Sequence, residues 1–181
     1  MSEYNLTIPN STDKIQDLHV GDIVYLTGKL FTARDEAHQR LLQTSNDDLP
    51  FQPGSLGLYH CGPLMKKTKK TWKVIAAGPT TSSRLELFES DILKKFPNLN
   101  IIIGKGGMGK KTLKALKNRG VYLSYTGGAA ALAADQITRV EDVFWLDDLG
   151  MAEAIWIFQV KSFGPLVVGM DAQGHSLFQI K

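Results

Sequence analysis

The spacing of apolar and polar residues changes repeatedly along the chain, and the first changes predict strands followed by a helix. Residues 6–33 are rich in β-branched and aromatic side chains and are interrupted by Pro9, Gly21 and Gly28, which predicts strands separated by turns. Residues 34–43, "RDEAHQRLLQ", contain good helix formers and predict a helix. Residues 44–55 form a turn-rich loop. The short runs "LGLYHCG" and "WKVIAAG" predict strands on either side of a lysine-rich stretch.

The middle of the chain repeats a strand, a glycine turn and a helix three times. After "WKVIAAG", Leu85, Phe88, Ile92 and Phe96 follow helical spacing, and the preceding "TTSS" offers N-cap side chains. The run "NIIIG" predicts a buried strand, and the helix "KKTLKALKNRG" that follows is expected to close at Gly120. The strand "VYLSYT" then leads through two glycines into the alanine-rich helix "GGAAALAADQI".

The last third predicts three or four strands, in "VEDVFWLDD", "EAIWIFQVKSF" and "PLVVGMDAQGHSLFQI". The last two of these strands are expected to be joined by a turn at "DAQG". Alternation of strands and helices in the middle, with strand-rich ends, predicts an α/β domain with a partly parallel central sheet and an added β layer. The length of 181 residues predicts one domain over residues 1–181.

Composition and charge narrow the class of protein. With 43% hydrophobic residues, 22% charged residues and a net charge of +3, the chain is an ordinary water-soluble sequence. Its one dense basic run, "KKTKKTWK", contains a single aromatic residue and favours a solvated hairpin tip over a nucleic-acid surface. No apolar run approaches the roughly 20 residues that span a bilayer. The N-terminus lacks the plan of a signal peptide, so we expect no membrane partner and a cytoplasmic location.

The chain has a single cysteine, Cys61. An internal disulfide is therefore excluded, and the three or four thiolates that hold an iron–sulfur cluster cannot come from this chain alone. We expect no metal to be ligated by these residues.

Three segments, "AAGPTT", "IIIGKGG" and "SYTGGAA", leave a strand through glycine and enter a helix. The free N–H groups at such a helix N-terminus favour an anion, and glycine lets the ligand approach the backbone closely. In a partly parallel sheet these turns gather at the carboxyl ends of the strands, where ligands bind. Each turn alone fits ordinary packing equally well, but Arg84 and Lys105 add positive charge to two of them.

The segment "GKGGMGKKT" also resembles a phosphate-binding loop, since Gly104, Gly109 and Lys110 match its pattern. Lys111 stands where that loop has the Ser or Thr that ligates Mg²⁺. Thr112 comes one residue late, about 100° around the helix. The pattern therefore disfavours an ATP-binding domain, which is kept as an alternative.

In "ARDEAHQR", Arg34 and His38 are four residues apart and are expected on one helix face. Arg34 could bind a carboxylate in bidentate fashion, with Asp35 or Glu36 as a supporting charge. The alternative is a solvent-exposed helix with alternating charges.

Several of these segments together carry a family resemblance. The runs "GKLFTARDEAHQR", "YHCGP", "AAGPTTSSR", "IIIGKGGMGKKTLKAL", "YTGGAAALAA" and "FWLDDLGMAEAIWIFQVKSFGPLVVGMDAQGHSLF" occur in family order and spacing. They resemble the β subunit, or C-terminal domain, of the iron–sulfur hydro-lyases, which comprise class I fumarases and L(+)-tartrate dehydratases. The resemblance covers residues 18–178, and "GPTTSSR" and "DDLGMAEA" are its most specific parts.

The resemblance implies a swivelling β/β/α domain that works with a separate α subunit, in a heterotetramer of two α and two β subunits. The α subunit would hold a [4Fe–4S] cluster on three cysteines, in keeping with the lone cysteine here. The implied activity is the reversible hydration of fumarate to malate. The β subunit of L(+)-tartrate dehydratase, or of a related dicarboxylate hydro-lyase, is the alternative, and a stand-alone interaction module is a further one.

The resemblance also implies roles for individual residues. Arg34, Arg84 and Lys105 would bind the dicarboxylate, and Thr80 and Thr81 would lie against the reacting carbons, with Thr80 as the proton-transfer group. His38 would orient Arg34 or the subunit interface. Ala33 stands where many members have glycine, which affects the local turn rather than the chemistry. The glycines expected to shape the backbone of the site are Gly78, Gly104, Gly106 and Gly107.

Overall fold

A computed structural model describes residues 1–9 and 12–178 and gives an α/β fold. The strands are β1 Glu3–Thr7, β2 Ile23–Thr32, β3 Gly57–Tyr59, β4 Leu64–Lys67, β5 Trp72–Ala76, β6 Ile101–Gly104, β7 Val121–Tyr125, β8 Ile137–Phe144 and β9 Ile155–Met170. The helices are α1 Thr12–Gln16, α2 Asp35–Gln43, α3 Glu86–Lys95, α4 Lys110–Leu116, α5 Ala130–Gln136 and α6 Leu146–Leu149. A 3-10 turn at Ser82–Leu85 precedes α3.

Hydrogen bonding closes the main sheet into a ring of five strands. The strands β2, β3, β6 and β7 pair in parallel, and β9 pairs antiparallel with both β7 and β2. β1 and β8 extend the sheet beside β2 and β9, while β4 and β5 form a separate hairpin. The predicted α/β class, with a partly parallel central sheet and a second small sheet, is confirmed. The parallel strands β6 and β7 place their carboxyl ends at one edge, where the second and third predicted turns begin.

Two apolar clusters cover the two faces of the strands. Ile101 and Ile103 pack with the cluster enclosed by the ring, while Ile102 packs with α2, α3 and α4 outside it. Because both faces are covered, the run "NIIIG" is continuously apolar rather than alternating. The helical face predicted from spacing also holds, since Leu85 and Ile92 are fully buried.

Some predicted elements differ from the structure. β5 pairs only with β4 and lies outside the parallel sheet, so β3 supplies the strand of the first strand–turn–helix unit. A short helix, α1, lies in the segment predicted to be strands. The segment predicted as two strands on either side of Pro165 is the single strand β9. That proline falls where the pairing with β2 shifts register, and a bulge tolerates the missing N–H.

Helix ends differ as well. α3 begins at Glu86 after the 3-10 turn, and no Thr or Ser side chain from "TTSS" caps it. α4 ends at Leu116 rather than at Gly120, and Asn118 takes the left-handed conformation at φ 64°. The "DAQG" turn is present, but the residues after it make an isolated bridge, Met170 to Ser176, in place of a strand. The end of that predicted strand, residues 179–180, lies outside the described residues.

The lysine-rich run forms the exposed tip of the β4–β5 hairpin, as predicted. Among the described residues, no helix has the length and apolar character needed to cross a membrane.

Candidate active site

Residues 79–82 fill the gap that opens between β3 and β6 where those strands end. The Thr80 N–H donates to the His60 carbonyl at 2.8 Å, and the Thr80 carbonyl accepts from the Lys105 N–H at 3.2 Å. The Ser82 N–H donates in turn to the Lys105 carbonyl at 3.0 Å. "GPTTSSR" and "IIIGKGG" therefore meet at the sheet edge, which places the backbone of Thr80 beside that of Lys105.

Arg84 faces this junction from the 3-10 turn. Its Nη2 lies 3.0 Å from Asp35 Oδ2 and donates to Thr80 Oγ1 at 3.4 Å. The side chains of Arg84 and Asp35 are 48% and 41% exposed, so water screens this pair and little free energy is needed to part it. Arg84 is thus oriented toward Thr80 while its guanidinium stays open to an anion from solution.

Arg34 is the N-cap residue of α2 and is held by Glu153, which follows α6. Arg34 Nε lies 3.2 Å from Glu153 Oε1, and Glu153 Oε2 accepts from the Glu36 N–H at 3.0 Å. One carboxylate thus caps the first turn of α2 and fixes the arginine beside it. A Cβ at Gly62 would lie 2.9 Å from Arg34 Nη1, so the guanidinium lies directly over this glycine.

The segment that supplies Glu153 holds α2 at a second point. Arg40 Nη1 donates to Asp148 Oδ2 at 2.6 Å, and Arg40 Cζ lies 4.8 Å from the ring centre of Trp145. These contacts explain why "DDLGMAEA" belongs with "ARDEAHQR", although more than 100 residues separate them in the sequence. The protein carboxylate that pairs with Arg34 is Glu153, and Asp35 provides its supporting charge to Arg84.

The Lys105 side chain is half-buried and runs past the third glycine turn, since a Cβ at Gly127 would lie 3.6 Å from Lys105 Cδ. No carboxylate of the described residues lies within ion-pair distance of its ammonium group. The three predicted turns therefore converge, and Lys105 brings an uncompensated positive charge to them.

Beneath these side chains lies a buried polar cluster. His38 Nδ1 bonds to the Arg34 carbonyl at 2.6 Å, and Glu89 Oε2 lies 3.4 Å from His38 Nε2 and 2.9 Å from His60 Nε2. His60 Nδ1 lies 2.9 Å from Ser82 Oγ. The contact between His38 and Arg34 thus runs through the backbone carbonyl, and not through a shared helix face as the spacing predicted.

Burial opposes ionisation of Glu89, but the two histidines outweigh it and hold its pKa at about 2. Burial also lowers the pKa of His60, although Glu89 opposes that shift. The cluster therefore contains an ionised carboxylate and a neutral His60 at neutral pH.

These shifts predict a loss of stability in acid. Glu89 contributes stability above the ordinary glutamate pKa, and this is lost as the pH falls from about 4.5 toward 2. His60 stays neutral when folded but binds a proton when unfolded below about pH 6.5, which also favours unfolding. We expect the free energy of unfolding, measured by urea titration, to fall continuously from pH 7 to pH 3.

The Glu89→Gln variant should show a shallower fall below about pH 4.5, because it lacks the titrating carboxylate. Asp91→Asn on the same helix is the matched control, since Asp91 is solvent-exposed and, in the part of the chain that the structure describes, forms its ion pair with Lys94 alone. A free energy of unfolding that stays constant over this range in the unsubstituted chain would contradict the assignment.

The glycines predicted to shape the site do so in different ways. A Cβ at Gly104 would fall on the Ser82 hydroxyl, so only glycine fits there. Gly106 has φ 73°, and its carbonyl accepts from the Tyr122 hydroxyl at 3.0 Å. Gly78 packs against α5, and Gly107 packs against the C-terminal segment.

The N-terminus of α4 already holds an anion, the Glu86 carboxylate. Glu86 accepts from the N–H groups of Gly109, Lys111 and Thr112 at 2.7 to 3.2 Å, and from the Thr112 hydroxyl at 2.6 Å. The amides and hydroxyl that a phosphate-binding loop would offer are therefore used internally. The helix entrance predicted to bind a ligand anion binds this glutamate, and only the Lys105 side of the loop faces the site.

We expect that ATP with Mg²⁺ does not raise the melting temperature of the chain, because Glu86 occupies the α4 amides. Thermal unfolding with and without the nucleotide measures this. A rise of several degrees that disappears in Lys110→Ala would contradict this account and revive the phosphate-loop alternative.

Cys61 does not fit the role of a cluster ligand. The thiol is fully buried, and burial raises its pKa far above the ordinary value, whereas a ligand to iron must be a thiolate. The cation-rich edge of the sheet therefore offers arginine, lysine and threonine to an anionic substrate, and no thiolate to a metal.

Comparison with known proteins identifies the class. The family model described as "Fumarase C-terminus" matches residues 1–181. The chain is 47% identical to a Methanocaldococcus jannaschii protein named "Putative L(+)-tartrate dehydratase subunit beta", over 91% of this chain and 86% of the relative. It is 38% identical to the L(+)-tartrate dehydratase subunit beta of Escherichia coli, over 95% of this chain and 85% of the relative.

A Geobacillus stearothermophilus protein named "Putative fumarate hydratase class I" is 46% identical over 96% of this chain, which covers 33% of that longer relative. The chain therefore belongs to the fumarase C-terminus family, whose members occur as separate subunits and as part of longer chains. The family resemblance read from the sequence is confirmed.

Proposed function

We propose that this chain is the β subunit of a two-component fumarate hydratase, a hydro-lyase active only with its α subunit. One observation carries the proposal: Arg84 contacts Thr80, the Thr80 backbone bonds to that of Lys105, and Arg34 lies over Gly62, next to the Cys61 that bridges Pro79 at the same edge. A dicarboxylate with a developing negative charge needs such a set of positive groups. Family membership and the names of the relatives support the same class of reaction.

In this proposal each cation binds the substrate from a different element. Arg84 and Arg34 have planar guanidinium groups that suit the two carboxylates, and their acidic neighbours hold them in orientation. Lys105 supplies a compact charge beside them. Fixing both ends of the substrate would align the reacting carbons with Thr80, which removes an entropic part of the barrier.

Thr80 is the group that we propose for proton transfer. In the direction from malate to fumarate, a proton leaves one carbon while hydroxide leaves the adjacent carbon, and the C–H electron pair forms the double bond. A free alcohol is a poor base, but the Arg84 guanidinium 3.4 Å away would stabilise the Thr80 oxygen as it loses its own proton. Thr81, which is exposed beside Thr80, would contact the substrate without exchanging a proton.

The iron–sulfur cluster belongs, in this proposal, to the α subunit, because Cys61 does not fit it. When bound, such a cluster acts as a Lewis acid on the substrate hydroxyl. We propose a cytoplasmic assembly of two α and two β subunits. In this assembly the cation-rich edge of this chain faces the partner's cluster.

Tartrate dehydration is the second candidate, favoured by the names of the Methanocaldococcus and Escherichia relatives. Tartrate carries one more hydroxyl than malate. A site built to hydrogen-bond that extra hydroxyl strongly rejects malate, which lacks the group. The test is to assay the reconstituted α–β complex with fumarate, malate and L(+)-tartrate, and to compare kcat/KM. A higher kcat/KM for fumarate and malate supports the proposal. A higher value for tartrate assigns the second candidate, and turnover of none of the three contradicts both.

A further inference from the structure

The buried polar cluster beneath the site forms one continuous path between its loops. The path runs from the Arg34 carbonyl through His38, Glu89 and His60 to Ser82. From Ser82 it continues to the Tyr122 hydroxyl at 2.9 Å and to the Gly106 carbonyl at 3.0 Å. The side chains that make it are fully buried. Each end of the path is therefore the backbone of a loop that carries a proposed substrate-binding residue.

The hydrogen bonds determine where the protons of this cluster lie. A carbonyl oxygen only accepts, so the His38 Nδ1 that bonds to Arg34 must carry a proton. His38 Nε2 lies 3.4 Å from Glu89 Oε2, a close contact without the geometry of a hydrogen bond. The His38 ring is therefore fixed by the Arg34 carbonyl on one side and packs against the Glu89 carboxylate on the other.

His60 is neutral and makes hydrogen bonds at both of its ring nitrogens. Its Nε2 donates to Glu89 Oε2, so its Nδ1 is free to accept from the Ser82 hydroxyl. The Ser82 oxygen or the Gly106 carbonyl then accepts the Tyr122 proton. The lowered pKa of His60 agrees with this assignment.

The groups that face Glu89 come from four places in the fold. His38 lies on α2, His60 follows β3, and Ser82 lies in the 3-10 turn. The Tyr122 hydroxyl on β7 reaches the cluster through Ser82. Asp35 is the other charged group whose field reaches His60, and it is already paired with Arg84. Glu89 is therefore the one carboxylate, among the described residues, that lies within ion-pair distance of both buried histidines.

We propose that Glu89 is a positioning residue of the active site, which holds the His60 ring through a hydrogen bond and the His38 ring through a close contact. The cluster fixes the Arg34 backbone through His38 and the Gly106 backbone, next to Lys105, through Ser82 and Tyr122. His60 also accepts the Thr80 N–H at its carbonyl, so its ring and its backbone hold the same loop. The effect of Glu89 on turnover rests on the proposed function, whereas its effect on the His60 ring and on loop positions does not.

The Glu89→Gln variant separates charge from shape. Both histidine Nε2 atoms face the same Glu89 oxygen, Oε2, so a glutamine of the same shape keeps an oxygen that accepts from His60 but loses the carboxylate charge. Asp91→Asn, which removes an exposed carboxylate from the same helix, is the matched control.

Nitrogen NMR of the full chain, labelled with ¹⁵N at histidine and at the backbone, tests the inference without activity. At neutral pH we expect the signature of a neutral His60 ring that carries its proton at Nε2. In Glu89→Gln the ring resonances of His60 shift, and so do the amide resonances of Arg34, Thr80 and Gly106. Neither change occurs in Asp91→Asn. A His60 ring that carries its proton at Nδ1 in the unsubstituted chain, or unmoved loop amides in Glu89→Gln, would overturn the proposal.

Kinetics of the reconstituted complex test the positioning role. We expect kcat/KM to fall about 10-fold in Glu89→Gln and about 100-fold in Glu89→Ala, because small misplacement of binding groups is costly. The partial rescue by glutamine, at a melting temperature close to that of the unsubstituted chain, distinguishes positioning from a loss of folding. Equal activity of Glu89→Gln and the unsubstituted protein would refute the positioning role.

The same samples distinguish other outcomes. An unsubstituted complex that turns over no dicarboxylate contradicts the proposed function, while the NMR result still decides the proposal about Glu89. One equivalent of metal per chain that is lost in Glu89→Gln would overturn the proposal, because His38, His60 and Glu89 would then be metal ligands.

Discussion

Replacing Arg84 with alanine is expected to lower kcat/KM of the reconstituted complex by about 10²- to 10³-fold, the usual effect of removing a preorganised group that stabilises charge. Arg84 combines two tasks in the proposed mechanism, since it binds a substrate carboxylate and lies 3.4 Å from the Thr80 oxygen. Its side chain is 48% exposed and pairs only with the similarly exposed Asp35 among the described residues. The fold should therefore tolerate the change, and the loss should appear in turnover rather than in assembly.

Two further variants sharpen this result. Arg84→Lys keeps the charge but loses the planar, two-pronged donor, so its activity should be intermediate. Lys94→Ala is the control, because Lys94 is a cation on the adjoining helix whose side chain is 73% exposed and bonds to Asp91. Activity and assembly should be unchanged in it. Near-normal turnover of Arg84→Ala would remove Arg84 from the site.

Replacing Gly104 with alanine should destabilise the chain by about 3 kcal/mol, the upper range for forcing one methyl group into a close-packed interior. The added Cβ would coincide with the Ser82 hydroxyl and would lie 3.0 Å from both His60 Nδ1 and the Tyr122 hydroxyl. The methyl group would thus displace three members of the buried polar path at once, and buried polar groups that lose partners add to the cost. The free energy of unfolding from urea titration measures the effect.

Gly127→Ala is the matched control for folding. Gly127 lies in a neighbouring turn, and a Cβ there would meet Lys105 Cδ at 3.6 Å, an ordinary contact. The two variants add the same methyl group, so any general effect of losing a glycine is shared. Equal stability of the Gly104→Ala and Gly127→Ala variants would contradict the packing described around Ser82.

The sequence predicted those features of the site that depend on local pattern. The helix α2 and the apolar face of α3 follow from periodicity, and the convergence of the second and third glycine turns follows from the geometry of parallel strands. The cation at position 105 could be singled out because it lies within such a turn. The wider family resemblance added the roles of Arg34 and Thr80, which no spacing alone reveals.

Contacts between distant segments could not be predicted in the same way. Glu153 binds Arg34 across more than 100 residues, and Glu86 fills the N-terminus of α4 from the preceding helix. The sequence predicts an ordinary, exposed helix glutamate at position 89, yet Glu89 is fully buried between two histidines. Its only local sign is its position one residue after Phe88, at the border of the apolar face of α3. Which carboxylate meets which cation is decided by tertiary packing.

The closure of the sheet could not be predicted either, because it also depends on tertiary contacts between distant segments. The sequence of β9 predicts two strands, because Gly164 and Pro165 interrupt its apolar pattern. In the structure that interruption is a bulge that lets one long strand pair with β2, β7 and β8. Closing the ring fixes the edge at which Thr80 and Lys105 meet, so this tertiary feature determines the geometry of the site.

The central claim is that this chain supplies the substrate-binding half of a hydro-lyase and that its partner supplies the cluster. The most direct measurement is fumarate hydration, followed anaerobically by malate formation, with this chain alone, the cluster-loaded α subunit alone, and the two combined. The account predicts turnover only in the combination and its loss when Arg84→Ala replaces the unsubstituted chain. Turnover by either component alone, or none by the combination with fumarate or tartrate, would contradict it.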